Sequence, residues 1–512
     1  MTPRRPRFHP VRNLGERLKR VDTLSVGLGI SAAVLGLVAV LTHPNRRNIL
    51  SFLLGVSAGL VGFQIFRIHA FTILVVLWAC LPQETTNKNA PKHVAVLAVA
   101  ALLLASTTFL GELVNSPTLG LQLLGLAGSA AIVALRASRR DAKAMLWGLL
   151  VISTIGSAVG LLQVFRIIPM DLWHLDVSTV GRPTGIYPEP DWLGMFSGIG
   201  VLLAWRLAMS RPLKVSFVVI NLSVFVLAMA RASWVALLVS ICAAWIAAAI
   251  FKRENLPLSG SEGGRRGRVP AVVVASLATF IVLSAVPQLQ EDLSVRVSTL
   301  LGTVQADDIS GQARIRQNDS LFALAESVPV YGHGLSAAGR VGVWGQLNTE
   351  GASENNVASN WVLGMWVDGA WFAVPLVVYL MGLALARVQT IPGQLLLFTL
   401  VCSLFSNAFF FPVTWFLVGL AIVAVRPPGR SQLPEAPALP ALTPDPHPVG
   451  GFTATSVLIR ATTTGTGQVS SFLRGSGAAI LRPLDRLKKR PRHRMEHRAI
   501  GGQTAGWPPP ES

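Results

Sequence analysis

Between Met145 and Phe165 the chain reads MLWGLLVISTIGSAVGLLQVF, without one charged residue. A helix needs about 20 apolar residues to cross a bilayer. Just before this run stand Arg136, Arg139, Arg140 and Lys143. Lys and Arg accumulate in cytoplasmic loops, so the basic cluster predicts which end of the helix faces the cytoplasm. An apolar run of full membrane length with a basic foot is the unit from which the rest of the chain is read.

The whole composition agrees with that unit. Of 512 residues, 51% are hydrophobic and 13% charged, about half the roughly 25% charge of a soluble domain. Mean hydropathy is +0.53. This excludes a disordered chain, a coiled coil and a disulfide-stapled secreted module. Cys80, Cys242 and Cys402 all lie in apolar runs and read as small core residues. Further apolar runs occupy 24–42, 49–66, 70–81, 94–112, 118–135, 193–209, 215–230, 233–251, 270–287, 357–385, 393–406 and 413–425.

Lys and Arg outnumber Asp and Glu by 44 to 25, and the formal charge of +19 is unevenly placed. Residues 1–23 are a basic cytoplasmic amino terminus. Residues 24–425 form a polytopic membrane domain. Residues 426–512, rich in Pro, Ala, Thr and Gly and basic near their end, are expected to be a disordered cytoplasmic tail. Two more basic clusters, Arg206/Arg211/Lys214 and Lys252/Arg253/Arg265/Arg266/Arg268, agree with the first. They place 166–192, the turn at Arg231 and the long segment 288–356 outside the cytoplasm. Residues 43–48 then form the first external loop, which has no acid. Thirteen runs with both termini cytoplasmic break parity. The short 70–81 run is therefore expected to join 49–66 as one broken helix or a re-entrant pair. The expected fold is an all-α integral membrane bundle of about 12 transmembrane helices with one large extracytoplasmic loop. The localisation is a multi-pass protein of the cell membrane.

No Walker loop, dinucleotide glycine fingerprint, HExxH or paired-Cys motif is present. No cofactor and no metal is expected, and no nucleic-acid partner. Polar weight collects instead in the external pieces, where charge in a membrane protein is a functional candidate. One piece is Gly181-Arg182-Pro183-Thr184-Gly185-Ile186-Tyr187-Pro188-Glu189-Pro190-Asp191-Trp192. A second is Ala230-Arg231-Ala232-Ser233-Trp234. A third holds Arg314, Arg316 and Pro329-Val330-Tyr331-Gly332-His333-Gly334, and ends in Ser353-Glu354-Asn355-Asn356.

In order and placement, these pieces resemble the O-antigen ligase and O-antigen polymerase superfamily of bacterial envelope glycosyltransferases. The likeness spans about 181–425. It rests on the Arg-x-x-Gly segment at Arg182, the Arg231 segment opening a helix, and an Arg early in the large loop. A Pro-x-x-Gly-x-Gly turn and a polar pair before the next helix complete it. The resemblance implies a membrane glycosyltransferase. Its donor would be an undecaprenyl-pyrophosphate-linked glycan, and its acceptor a glycan or lipid at the outer membrane face. It implies pyrophosphate contacts from Arg182, Arg231 and Arg314 or Arg316, with Asp191 and Asn355 orienting. The family's ligase-type His is absent at the loop's end. Glu354 is then the nearest candidate base, and His333 is the only loop histidine.

The chemistry suits these residue types. A guanidinium is planar, permanently charged and grips two phosphate oxygens at once. Held in a partly dry site, it stabilises charge developing on a leaving pyrophosphate. A carboxylate or imidazole takes the acceptor's proton. The ordinary readings stand beside these. Arg182 also fits a snorkelling interface residue, Arg314 and Arg316 a solvated helix face, and Ser353–Asn356 a helix cap. Glu189 and Asp191 also fit groups that only orient Arg182. The competing function is a polysaccharide or lipid transporter or flippase of similar helix count. It is disfavoured by the absence of an internal repeat and by the few mid-helix charges.

Overall fold

The computed structural model describes residues 42–61, 64–65, 68–82, 90–169, 182–250, 309–349 and 357–424. Residues 1–23, most of the 24–42 run, the 270–287 run, Glu354–Asn356 and the tail 426–512 lie outside them. The described chain is helical. Its helices are α1 (Arg46–Ala58), α2 (Ala70–Ala79), α3 (Ala90–Leu110), α4 (Thr118–Arg136), α5 (Arg139–Val164) and α6 (Pro190–Arg206). They continue as α7 (Arg211–Leu227), α8 (Arg231–Ile250), α9 (Ile309–Glu326), α10 (Trp361–Gly369), α11 (Val374–Ala386), α12 (Ile391–Cys402) and α13 (Pro412–Val423). The only strands described, β1 (Gln64–Ile65) and β2 (Ile68–His69), form a small antiparallel pair between α1 and α2.

Four helices, α3, α4, α5 and α8, are long and apolar enough to cross a membrane. Others are shorter than their hydrophobic runs. The run 357–385 is not one helix. It breaks where Ala370 takes φ +40 between α10 and α11, and Pro375 follows inside the first turn of α11. At 1.5 Å per residue, the 12-residue α12 and α13 each span only about 18 Å.

The bundle has two polar ends. At one, Arg47 of α1 meets Asp141 of α5. Its Nη2 lies 3.0 Å from Oδ2 and its Nε 3.1 Å from Oδ1. Arg47 Nη1 also donates to the Pro82 carbonyl at 2.9 Å, and Nη2 to that of Arg136 at 2.9 Å. Arg136 Nη2 donates to the Leu81 carbonyl at 3.1 Å. Asp141 closes a capping box with Ser138 and accepts from Ser51 Oγ at 3.0 Å. Both feet of the α1–β–α2 segment therefore stand at one end. The runs 49–66 and 70–81 thus form two helices, α1 and α2, whose outer ends meet at one end of the bundle.

The same contacts correct the expected topology. Residues 43–48 share an end with 136–143, whereas the basic-cluster reading put them on opposite faces. The reason is the pairing of Arg47 with an acid 94 positions away, which hydropathy does not register. The first turn at the opposite end that joins two full-length helices is then 111–117, and its one acid is Glu112.

Packing explains how α1 docks. A Cβ on Gly55 would run into the Met145 carbonyl, and one on Gly148 into that of Phe52. The α1 and α5 backbones touch directly, as small residues permit in membrane bundles. The core centres on α13, where Trp415, Phe416 and Leu420 are fully buried. Only one of the three cysteines, Cys402, is buried. Cys80 and Cys242 are exposed, so the expectation of three core thiols fails: an apolar helix need not turn every apolar side chain inward.

Candidate functional site: a carboxylate shared by two arginines

The second polar end is built by α3–α4, the segment 182–190, α9, the segment 329–349 and the turn 403–411. The segment entering α6 is held from behind by Gln163 near the end of α5. Its Oε1 accepts from Thr184 N at 2.9 Å and Gly185 N at 2.7 Å. Its Nε2 donates to the Pro169 carbonyl at 3.1 Å. Gly185 has φ +62, a left-handed conformation that glycine adopts without strain. Tyr187 is fully buried and stacks on Phe196 with centroids 4.5 Å apart. The following Pro190 starts α6 and Asp191 falls in its first turn. A carboxylate there is favoured by the helix dipole.

Asp191 is where the candidates meet. Arg182 Nη1 lies 3.2 Å from Oδ1, and Arg314 Nη2 lies 2.5 Å from Oδ2. The side chains of Arg182 and Asp191 are each 14% exposed, that of Arg314 29%. Arg182 Nε is buried without a partner. Burial alone would raise the Asp191 pKa. The charges of Arg314 and Arg182 overcome that and hold the carboxyl below its ordinary value. Glu189, the residue before α6, shares the same field. Burial first and Asp191 second push its carboxyl above the ordinary range, against the pull of Arg314 and Arg182.

Arg314 reaches this point because α9 buries a stripe at Ala313, Gln317 and Leu321. Gln317 fixes the helix, accepting from Ser359 Oγ at 2.6 Å and donating to the Val341 carbonyl at 3.2 Å. Arg316 is two positions on, about 200° around the helix. It lies instead over the Trp344 ring, 5.9 Å from its centroid. The structure thus separates the pair that sequence left as alternatives.

Arg231 opens α8. Beside it, Ala230 and Ser233 pack on Gly194 of α6, a turn from Asp191, so the Arg231 segment borders the cluster. His333 sits elsewhere. Its N donates to the Val367 carbonyl at 2.9 Å and its O accepts from Leu113 N at 3.1 Å. Its Nε2 lies 3.2 Å from the Leu324 carbonyl, ten residues along α9 from Arg314, a rise of about 15 Å. The geometry does not bring His333 to Asp191. Glu354 and Asn355 lie outside the described residues.

Two further charged groups hold the segment 329–349 in place. Arg340 Nε donates to the Leu113 carbonyl at 2.6 Å and Nη2 to that of Val114 at 3.1 Å. Asp368 is buried, and its Oδ1 accepts from Ala338 N at 2.7 Å. Its sequence signal is an acid standing inside the apolar run 357–385. The role of Gln163 had no sequence signal, because its partners lie in a separate loop. Among the described residues, no group of three or more His, Cys, Asp or Glu side chains is placed to hold a metal ion. No protein-family model, curated protein or solved structure matches the chain.

Proposed function

We propose that this chain is a multi-pass membrane glycosyltransferase of the O-antigen ligase or polymerase type. It would act on an undecaprenyl-pyrophosphate-linked glycan at the outer face of the membrane. The observation that carries the reading is the convergence of Arg182 and Arg314 on Asp191, from segments far apart in sequence. The orientation follows from the basic side chains. Arg47, Arg136, Arg139, Arg140 and Lys143 gather at the Asp141 end, which the positive-inside bias makes cytoplasmic. The Asp191 end then faces outward, where a lipid-linked glycan presents its pyrophosphate.

Asp191 holds the two guanidiniums in register while leaving donors on each. Arg182 Nε in particular is buried and unused. The two arginines set two positive charges against the one carboxylate that pairs with them. That charge draws in an anion, and the fixed donors stabilise the charge that grows on it as the sugar leaves. Arg231, bordering the cluster, adds a further cation to this face.

The test uses the full chain in nanodiscs with an undecaprenyl-pyrophosphate-linked oligosaccharide and a mixture of envelope glycan acceptors, chelator present. Free undecaprenyl pyrophosphate is the readout. Release by wild type that is lost in Arg182→Ala and Arg314→Ala supports the reading. No release by wild type, with the lipid-linked glycan instead crossing the bilayer of proteoliposomes, replaces it with the transporter reading.

A further inference from the structure

The transferase reading needs a group to take the acceptor's proton. His333 spends its Nε2 near the Leu324 carbonyl, and Glu354 lies outside the described residues. A second carboxylate, Glu189, stands two residues before Asp191 and shares the field of both arginines. Glu189 occupies the N-cap of α6 with extended backbone (φ −130, ψ 146), and its side chain does not cap the helix. Its main-chain carbonyl takes the helical N–H groups of Trp192 and Leu193 instead, at 3.2 and 3.3 Å. Asp191, two residues on, receives Arg182 and Arg314. The ion pairs thus use one carboxylate of the cluster and leave the other.

We infer that Glu189 is the catalytic base of this site: it takes the proton of the acceptor hydroxyl while the arginines hold the donor pyrophosphate. The inference rests on the transferase reading and names a residue that reading does not. In the step, the acceptor oxygen bonds to the anomeric carbon as its proton passes to a Glu189 carboxylate oxygen. The anomeric carbon–oxygen bond to the pyrophosphate breaks, and its electron pair stays on the phosphate. Atoms and charge balance without a co-reactant.

The electrostatics fit the division of labour. Burial and the neighbouring Asp191 raise the Glu189 carboxyl, while Arg314 and Arg182 limit the rise. The groups facing it are Asp191 on its own helix, Arg182 on the entering segment and Arg314 on α9. Arg231 opens α8, whose Ser233 lies beside Gly194 of α6 and 3.8 Å from Cys402 Sγ of α12. A base works best when its pKa approaches the working pH, so a raised carboxyl serves better than the depressed Asp191.

The experiment is the same release assay, with initial rates from about pH 5 to 9 and donor KM measured separately. Glu189→Gln is expected to lower kcat by about 10²- to 10⁴-fold, with donor KM changed little. The residual rate should lose the acid limb of the wild-type profile, and Glu189→Asp should recover part of the activity. Thermal melting of each variant identifies one that has merely failed to fold. An active wild type with a Glu189→Gln variant of equal rate and unchanged pH profile overturns the base and leaves the transferase. So does a loss that appears only in donor KM. A wild type that releases nothing at any pH overturns both.

Discussion

Replacing Asp141 with Asn should loosen the joint that ties α1 and α2 to α5. Asp141 is 1% exposed and accepts from Arg47, Ser51 and Ser138. Asn keeps the size and an acceptor but removes the charge. Breaking a buried ion pair from one side costs about 3–5 kcal/mol. Arg47 keeps 23% side-chain exposure and two carbonyl partners, which relieves part of that cost. A loss of about 2–4 kcal/mol is expected on that basis. The assay is equilibrium unfolding in mixed detergent micelles for wild type, Asp141→Asn, Arg47→Leu and the double variant. Groups in direct contact couple by about 0.5–3 kcal/mol, so the double variant should be less damaged than the sum of the singles. A single variant as stable as wild type, or strict additivity, would refute the claim that this pair ties α1 and α2 to α5.

Four further outcomes follow from the same geometry. In a cysteine-free background, Asn45→Cys and Arg140→Cys should react with an impermeant maleimide from the same side of sealed vesicles; opposite sidedness would overturn the placement of 43–48. Gly55→Ala and Gly148→Ala should each lower the melting temperature, because the added Cβ strikes backbone of the partner helix. Gly128→Ala, where nothing lies within 4 Å, should be neutral or stabilising, and equal effects at all three sites would refute direct backbone contact. His69→Leu should stabilise, since both ring nitrogens are buried without partners and such groups cost about 1–3 kcal/mol; a clear loss of stability would show that the ring has a partner. Glu189 and Asp191 should act oppositely on stability. With a raised pKa, Glu189 contributes below its ordinary value of 4.5, and that contribution fades as pH rises through the raised value. With a lowered pKa, Asp191 contributes above 3.8, and that contribution fades as pH falls. Melting curves against pH should therefore diverge from wild type as pH rises, with Glu189→Gln gaining stability relative to it and Asp191→Asn losing stability.

Much of the candidate site was legible in local sequence. Arg182 and Asp191 lie nine positions apart around a Pro-rich turn, close enough for the turn itself to bring them together. Arg314 was singled out, but its choice over Arg316 depended on which face of α9 is buried. That is settled by Gln317 bonding to Val341 and Ser359. Glu189 looked like an accessory to Arg182. Only the structure shows that Asp191 alone takes both arginines. His333 was selected as the loop's one histidine, and its turn proves to be docked on α10 and the α3–α4 turn through main-chain bonds.

The sequence by itself determined the class: helical, apolar and basic at one set of ends. Hydropathy and helix periodicity are properties of neighbouring residues, and the cost of burying unpaired backbone in an apolar medium leaves helices as the remaining solution here. Tertiary structure alone decided which charges pair. Arg47 finds Asp141 across 94 positions and Arg314 finds Asp191 across 123. No local pattern encodes such meetings. They exist because the packed helices place each buried charge where its opposite is the least costly neighbour.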